Sequence, residues 1–510
     1  MRSVYKTVLR AALVSVVSAF LAATISAQQN QGQSNSGQPP DQGQQNQQSA
    51  PQGQQNEEQA TTPIPAYHSP FASAANNDDS DEGEETVTPD ARPLAGAQNL
   101  SLGTLESNTH DYWQPHVDIA GTVDSNPQEG PNATNWSTWT SISGGLDFHR
   151  TSGNSDLMLT YLGGGMIAND STANNGIVQQ LGISTKFQLR RWTLSFFDQV
   201  SYLPGAEFGY AGLGGSGLAG GSTGVGTTFG LPSQGILTGL GQSVANAFTT
   251  EADVNLTPRT SLTFVGGYSL LRYFDSGLLN FGDADFRAGY NYLWTRRDTV
   301  AVFYTYSALR YNNSNQSIDE HTIQASYARR VTGRLAFQVA VGPQIVLSRL
   351  PISSGSNSGA ETSPSSLTQL YWALNSNLTY QLERTALGLG YNHGVAGGSG
   401  VLGGSVTDIV SGSATRQMSR TFSSGVTAGY SRNAGVNTLS TEPASQTYNY
   451  WFVGANFTHP VGRALGLTFA YQMQYQDANS SFCIGTICGK SVIRNLFSFG
   501  IAWHERPLLF

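Results

Sequence analysis

Three places in the sequence hold residue types at spacings that chemistry uses. Gly212-Leu-Gly-Gly-Ser-Gly217 fits G-x-G-x-x-G, the glycine turn that lets a pyrophosphate approach backbone amides. Gly220-Gly-Ser222-Thr-Gly224 fits G-x-S-x-G, the turn that lifts a nucleophilic serine above a sheet. The first needs a βαβ unit and the second a strand-to-helix elbow. Both lie in one glycine-rich stretch, which generates such matches by composition alone, so neither is read as catalytic. The third place is Cys483-Ile-Gly-Thr-Ile-Cys488. Two thiols without His or acidic neighbours make a poor metal site. In an oxidising compartment they read as a local disulfide between Cys483 and Cys488 at a loop tip. His116, His149, His321, His393, His459 and His504 are scattered without the spacing of a ligand set. No Ser/His/Asp or paired-carboxylate constellation stands out. The expectation is therefore no enzyme, no cofactor and no metal.

What the chain does carry is a composition. Of 510 residues only 12% are charged, against roughly a quarter in an average soluble protein. Glycine is high at 58, aromatics reach 10%, and mean hydropathy is −0.25. Past the N-terminus no apolar run is long enough for a spanning helix. A soluble enzyme, a helical membrane protein and a disulfide scaffold all fit badly, whereas a large β-structure with lipid outside fits well. The net charge of −8 is concentrated early, where eleven acidic and four basic residues precede Asp111. The remainder is nearly neutral and lacks the basic stripe that nucleic-acid binding requires.

The ends read separately. Arg2, Lys6 and Arg10 precede the apolar stretch Ala11–Thr24, and Ile25-Ser26-Ala27 supplies small residues for cleavage, so residues 1–27 read as a secretory signal peptide. Residues 28–112 read as a disordered periplasmic leader. It is a Gln/Asn/Gly/Ser tract with almost nothing to bury, followed by a solvated acidic cluster at Asp78–Glu85.

From Trp113 onward one device repeats. Leu335, Phe337, Val339, Val341, Ile345 and Leu347 share a parity opposite Arg334, Gln338 and Gln344. Leu181, Ile183, Phe187 and Leu189 alternate with Ser184, Lys186 and Gln188, and Leu465 to Tyr475 repeats the pattern. A period of two over about ten residues is a strand with one apolar side, never a helix face. Arg-bearing turns recur at Arg150–Gly153, Arg190-Arg191, Pro258-Arg259, Arg296–Asp298, Arg330–Arg334, Glu383-Arg384, Ser419-Arg420 and His459–Arg463. Between these eight turns lie nine longer Gly/Ser/Asn-rich connections, which predicts about 18 antiparallel strands (16–18). Closure alone leaves no sheet edge, and in a bilayer unpaired backbone groups cost several kcal/mol each. Tilted strands of about ten residues, short turns on one side and long loops on the other predict a transmembrane β-barrel over 113–510. Trp192, Trp294, Tyr273-Phe274, Trp372, Trp451 and Trp503 fall near strand ends and read as interfacial girdles.

This pattern resembles bacterial outer-membrane porins. The resemblance is architectural, spans Trp113–Phe510, and rests on the signal peptide, the hairpin alternation and the terminal Phe510. It implies location in the outer membrane, contact with its lipid, biogenesis through the barrel-assembly machinery, and a homotrimer. Phe510 lies on the opposite parity from Phe497, Phe499, Ile501 and Trp503, and a bulge at Pro507 would restore the register.

A barrel of this width cannot be filled by its own wall side chains. Asn375, Asn377, Gln381, Gln472 and Gln474 fall on the lumen parity, while lumen charges come mostly earlier: Asp118, Lys186, Glu251, Asp253, Asp283, Asp285 and Arg287. These charges read first as wall-to-wall ion pairs. A hydroxyl- and amide-lined pore suits passive diffusion of small, neutral, hydrophilic solutes with weak ion selectivity. The alternatives are a secretion conduit for exopolysaccharide or a similar polymer, and a structural or adhesive barrel. Leu203-Pro-Gly-Ala-Glu207-Phe208-Gly209 resembles the Pro-Glu-Phe-Gly stretch of the porin third loop, with two residues inserted, and this implies a constriction at Glu207 and Phe208. Ser233–Ala247 reads as a short amphipathic helix within that loop.

Overall fold

The computed structural model describes residues 111–126, 136–169, 175–203, 242–274, 279–312, 316–349, 366–396, 402–419, 421–436, 446–462, 464–479, 483–484, 487–488, 491–504 and 508–509. The chain divides into two units, Met1–Thr62 and Pro63–Phe510, and all described residues belong to the second.

Period-two alternation runs through eighteen wall strands. The first nine are β1 (Tyr112–Asp124), β2 (Ser137–Ser152), β3 (Ser155–Ala168), β4 (Gly176–Gln188), β5 (Trp192–Leu203), β6 (Ser243–Thr257), β7 (Thr260–Tyr273), β8 (Phe281–Leu293) and β9 (Asp298–Tyr311). The wall continues through β10 (Ser317–Arg330), β11 (Leu335–Arg349), β12 (Ser366–Leu382), β13 (Thr385–Ala396), β14 (Ser405–Ser419), β15 (Phe422–Gly435), β16 (Thr447–Val461) and β17 (Leu465–Ala478). Inside the last long connection β18 (Cys483–Ile484) and β19 (Ile487–Cys488) form a separate hairpin, and β20 (Val492–His504) completes the wall. A short β21 (Leu508–Leu509) extends it along β1.

Consecutive strands from β1 to β17 pair antiparallel, and β20 pairs with both β17 and β1, so the sheet closes on itself. Eight connections of two to four residues lie on one rim, and nine longer ones, from 312–316 up to 204–242, lie on the other. Gly153 and Gly462 stand in two of the short turns at φ 56° and 74°, a left-handed conformation that a Cβ disfavours.

The two faces carry opposite chemistry. Outward side chains are large, apolar and exposed, as at Ile177 (57%), Val302 (58%) and Phe499 (52%). Inward side chains are polar or small and often wholly buried, as at Thr263 and Asp124 (both 0%). A soluble sandwich would show the reverse. This is a transmembrane β-barrel of the outer-membrane type, in which lipid solvates the apolar face and the closed ladder satisfies the backbone.

Two expectations need correction. Residues 243–247, assigned to a helix, open β6 instead. Ser243 and Ala245 pair with Leu203 and Ser201 on one side and with Tyr273 and Leu271 on the other. Neighbouring strands on both sides supply the hydrogen bonds a helix would have made internally, and the small residues alternate inward; residues 233–241 lie outside the described residues. Tyr273, assigned to a girdle, shares the inward parity of Leu271 and is 5% exposed. Its neighbour Phe274 is 56% exposed, and Trp192, Trp294, Trp372 and Trp503 are exposed as well.

The terminal register contains a one-residue step. On β1, Trp113 and His116 are three residues apart, whereas their partners on the last strand, Leu508 and His504, are four apart. One extra residue therefore lies between His504 and Leu508, and beyond it the even positions take the parity that Trp503 and Ile501 hold before it.

Candidate functional site

Two arcs of the inner wall contrast, β6–β11 and β12–β17. From β6 to β11 the inward side chains are buried along nearly the full strand length, including Thr249, Glu251 and Asp253 on β6 and the run Ile318 to Ala328 on β10. Of the charges assigned to the lumen from sequence, Glu251, Asp253, Asp283, Asp285 and Arg287 all stand on the inward parity of this arc. They meet neighbours in the wall rather than open water. The Thr263 hydroxyl donates to Asp253 Oδ1 (2.6 Å) and the Ser307 hydroxyl to Asp283 Oδ1 (2.7 Å). Arg287 donates through Nε to Thr305 Oγ1 (3.2 Å) and lies 5.1 Å over the Phe303 ring. Glu320, which the sequence reading did not single out, accepts from Gln344 Nε2 (2.8 Å). Asp118 is 5% exposed on β1, and Lys186 is half-buried on the inward parity of β4.

From β12 to β17 the inner face is different. Asn375, Asn377, Thr379 and Gln381 on β12, and Ser411, Ser413 and Thr415 on β14, are half-buried at mid-strand, so water reaches them. Thr427 on β15, Asn456 on β16 and Gln472 on β17 continue the same surface. No described residue on the inward parity of these six consecutive strands is charged. Water reaches this neutral arc, whereas the remaining arc carries the part-exposed Asp147 on β2, Asp156 on β3 and Lys186 on β4.

At the short-turn end the barrel brings together histidines that are far apart in sequence. His116 lies 3.7 Å from Asp118 and 3.6 Å from Asp147, His149 lies 2.8 Å from Asp156, and His504 lies 3.4 Å from Gln114. Strand pairing among β1, β2, β3 and β20 makes these meetings, and no linear spacing announces them. Among the described residues no cluster has metal-site geometry. His321 and His393 instead face outward, against Tyr304 and Trp372.

At the long-loop end the lining turns apolar. Leu271, Tyr273, Leu309, Tyr311, Ile318 and Val346 form one buried cluster with Ala245 and Val436. Trp139, Met166, Val178 and Leu496 form a second on β2, β3, β4 and β20. The loop-side ends of β13 and β14 pack on the first cluster. Val395 and Val406 pack against it, and Gln316 donates through Nε2 to the Gly403 carbonyl. Gly404 sits at φ 94°, where a Cβ would be both strained and driven into Ile318. Val395, Gly403 and Val406 thus stand on the lumen side of the wall. Sequence reasoning classed this connection as one more long loop, and the only local sign was its glycine content. Glu207 and Phe208, assigned to a constriction, lie outside the described residues. Cys483 and Cys488 are backbone partners across the β18–β19 hairpin, and their side chains are outside the described set.

No family model matches the chain, and no curated protein matches it. Among solved structures it is similar to OpdQ of Pseudomonas aeruginosa (12% identity, TM-score 0.38), covering 78% of this chain and 98% of that one. It is also similar to the outer membrane protein OpdK of Pseudomonas aeruginosa (10%, TM-score 0.37) and to OccAB3 of Acinetobacter baumannii (10%, TM-score 0.37). Each comparison covers 78% of this chain and 99% of the other.

Proposed function

We propose that this barrel is an outer-membrane channel for passive diffusion of small, uncharged, hydrophilic solutes. The observation that supports it is the neutral arc: six consecutive strands present hydroxyls, amides and glycines to accessible water, while the acidic groups of β6–β10 are withdrawn into a desolvated wall. A bore lined this way offers hydrogen bonds to a sugar-like solute and little field to an ion. The inward β13–β14 tip sets an upper size for what passes. The connection 204–242, with Glu207 and Phe208, is a second narrowing element in this reading, and the chain works as a homotrimer assembled through the barrel-assembly machinery.

The test is reconstitution of the full chain. Liposome swelling with arabinose should be fast and should fall steeply for disaccharides, and planar-bilayer conductance should discriminate weakly between potassium and chloride. Strong cation preference with no sugar swelling would refute it. Deletion of 205–241, which leaves β6 (Ser243–Thr257) whole, should raise conductance, and an unchanged value removes that loop from the constriction.

A further inference from the structure

The wall is interrupted between β12 and β13. Their ladder starts at Leu382 and Thr385 beside the short turn and stops at Leu374 and His393. Beyond that point, among the described residues, Tyr371–Ala373 pair with β11 alone, while Gly394–Ala396 stays paired with β14.

The gap exists because the β13–β14 hairpin bends into the lumen. Val395 and Val406 stand on parities that face lipid lower in their strands, yet here they pack on the interior cluster of Ile318, Tyr311 and Val346. Lumen side chains take over backbone groups at the bend. The Val395 N–H donates to Gln344 Oε1 (3.2 Å), and the Ala373 carbonyl accepts from Gln324 Nε2 (3.3 Å). On the outside, the foot of the gap carries a latch. Trp372 stacks on the His393 ring at 4.1 Å, and Asp408 Oδ1 lies 2.6 Å from His393 Nδ1 and accepts from the Tyr391 hydroxyl (2.9 Å). Leu370 (72% exposed) and Trp372 (49%) flank it, at the loop-side end of the outward apolar series that continues through Leu378 and Tyr380.

We infer that this gap is a lateral portal. Through it, small uncharged apolar molecules pass between the apolar cluster at the long-loop end of the bore and the outer leaflet. An unpaired edge beside hydrocarbon is a cost that closed barrels avoid, and here it is retained between the interior apolar cluster and the outward Leu370 and Trp372, with polar groups confined to its foot. A hydrophilic solute gains nothing on that path. An aromatic hydrocarbon meets Ile318, Tyr311 and Val346 within and Leu370 and Trp372 without. The axial route along β12–β17 is separate and serves polar solutes.

The test locks the gap. Ala373 and Gly394 would be the next pair of the ladder, and a Cβ at Gly394 meets only ordinary contact with Gln344. The full chain carrying Ala373→Cys and Gly394→Cys is placed in vesicles with a lipopolysaccharide outer leaflet. Heat-modified gel migration verifies the fold, and peptide mapping separates the new disulfide from Cys483 and Cys488. Oxidation should slow protein-dependent naphthalene entry at least fivefold, leave arabinose swelling within twofold, and reverse on reduction. Where the thiols do not meet directly, a short bis-methanethiosulfonate closes the same gap and the same readings apply. Unchanged naphthalene entry overturns the portal. So does a parallel fall of both probes, which would make the hairpin a plug for the axial bore, and so does cross-linking between two chains, which would make the edge a subunit contact. Arabinose swelling of the unaltered protein reports on the axial channel independently.

Discussion

Removing the Asp124 carboxylate should be among the most damaging single changes to the barrel. Asp124 ends β1 and Arg494 begins β20, the two strands whose pairing closes the cylinder. Arg494 donates through Nε (2.9 Å) and Nη2 (2.6 Å) to Asp124 Oδ2, with side-chain exposures of 1% and 0%. The other carboxylate oxygen accepts the Asn126 N–H at 2.8 Å. Asp124→Ala removes the carboxylate to which this buried guanidinium donates twice, at a cost of about 3–5 kcal/mol. That is two to four decades in the folded-to-unfolded ratio, at about 1.4 kcal/mol per decade. The pair itself is worth less than its disruption, because two desolvated charges roughly offset their own attraction. Asp124→Leu with Arg494→Met should therefore lose only about 1 kcal/mol, chiefly the Asn126 hydrogen bond. Urea unfolding in detergent micelles, followed by tryptophan fluorescence, gives each free energy, and the four proteins close a double-mutant cycle. If Asp124→Ala loses under about 1 kcal/mol, or if the double variant loses the sum of the singles, the pair is not a desolvated closure element.

Three further outcomes can be checked. Asn377→Asp and Asn377→Arg put a charge on the neutral arc and should shift the potassium-to-chloride permeability ratio severalfold in opposite directions at 0.01 M salt. The shift should shrink at 0.1 M, as the screening length falls from about 30 to about 10 Å; no shift at low salt would place the bore elsewhere. Gly404→Val strains a residue at φ 94° and collides with Ile318, so the hairpin tip should loosen and single-channel conductance should rise. Unchanged conductance would remove that tip from the constriction. Cys483 and Cys488, facing each other across a two-residue-strand hairpin, should give an unreduced protein two hydrogens lighter than the reduced one and no thiol labelling without reductant. Free labelling of both would exclude the disulfide.

Much of the architecture was legible because lipid imposes a simple rule. Where one face meets hydrocarbon, apolar residues must fall on every second position, as Leu465 to Tyr475 do, and turns must be polar. The eight short turns and nine longer connections follow from that alone. The neutral second half of the lining was also legible, since Asn375, Asn377, Gln472 and Gln474 lie on the opposite parity. The inward bend of β13–β14 was not, because it depends on Gln344 and Gln324 replacing ladder bonds and on Ile318 offering a seat, both set by register between distant strands. Tyr273 misled for a related reason: an aromatic at a strand end fits an interfacial girdle or a lumen cluster equally well, and only its pairing partners decide.

The extra residue between His504 and Leu508 has a consequence for how the cylinder is sealed. A strand sliding by one position would turn its side chains inside out, and a uniform ladder offers nothing local to stop it. Here β1 must match the last strand in two offset frames at once, His116 with His504 below and Trp113 with Leu508 beyond the step. A slipped alignment can satisfy one frame and not both. The offset between the two frames thus acts as a key cut for a single lock, letting the first and last strands recognise their correct alignment at the moment the sheet zips shut.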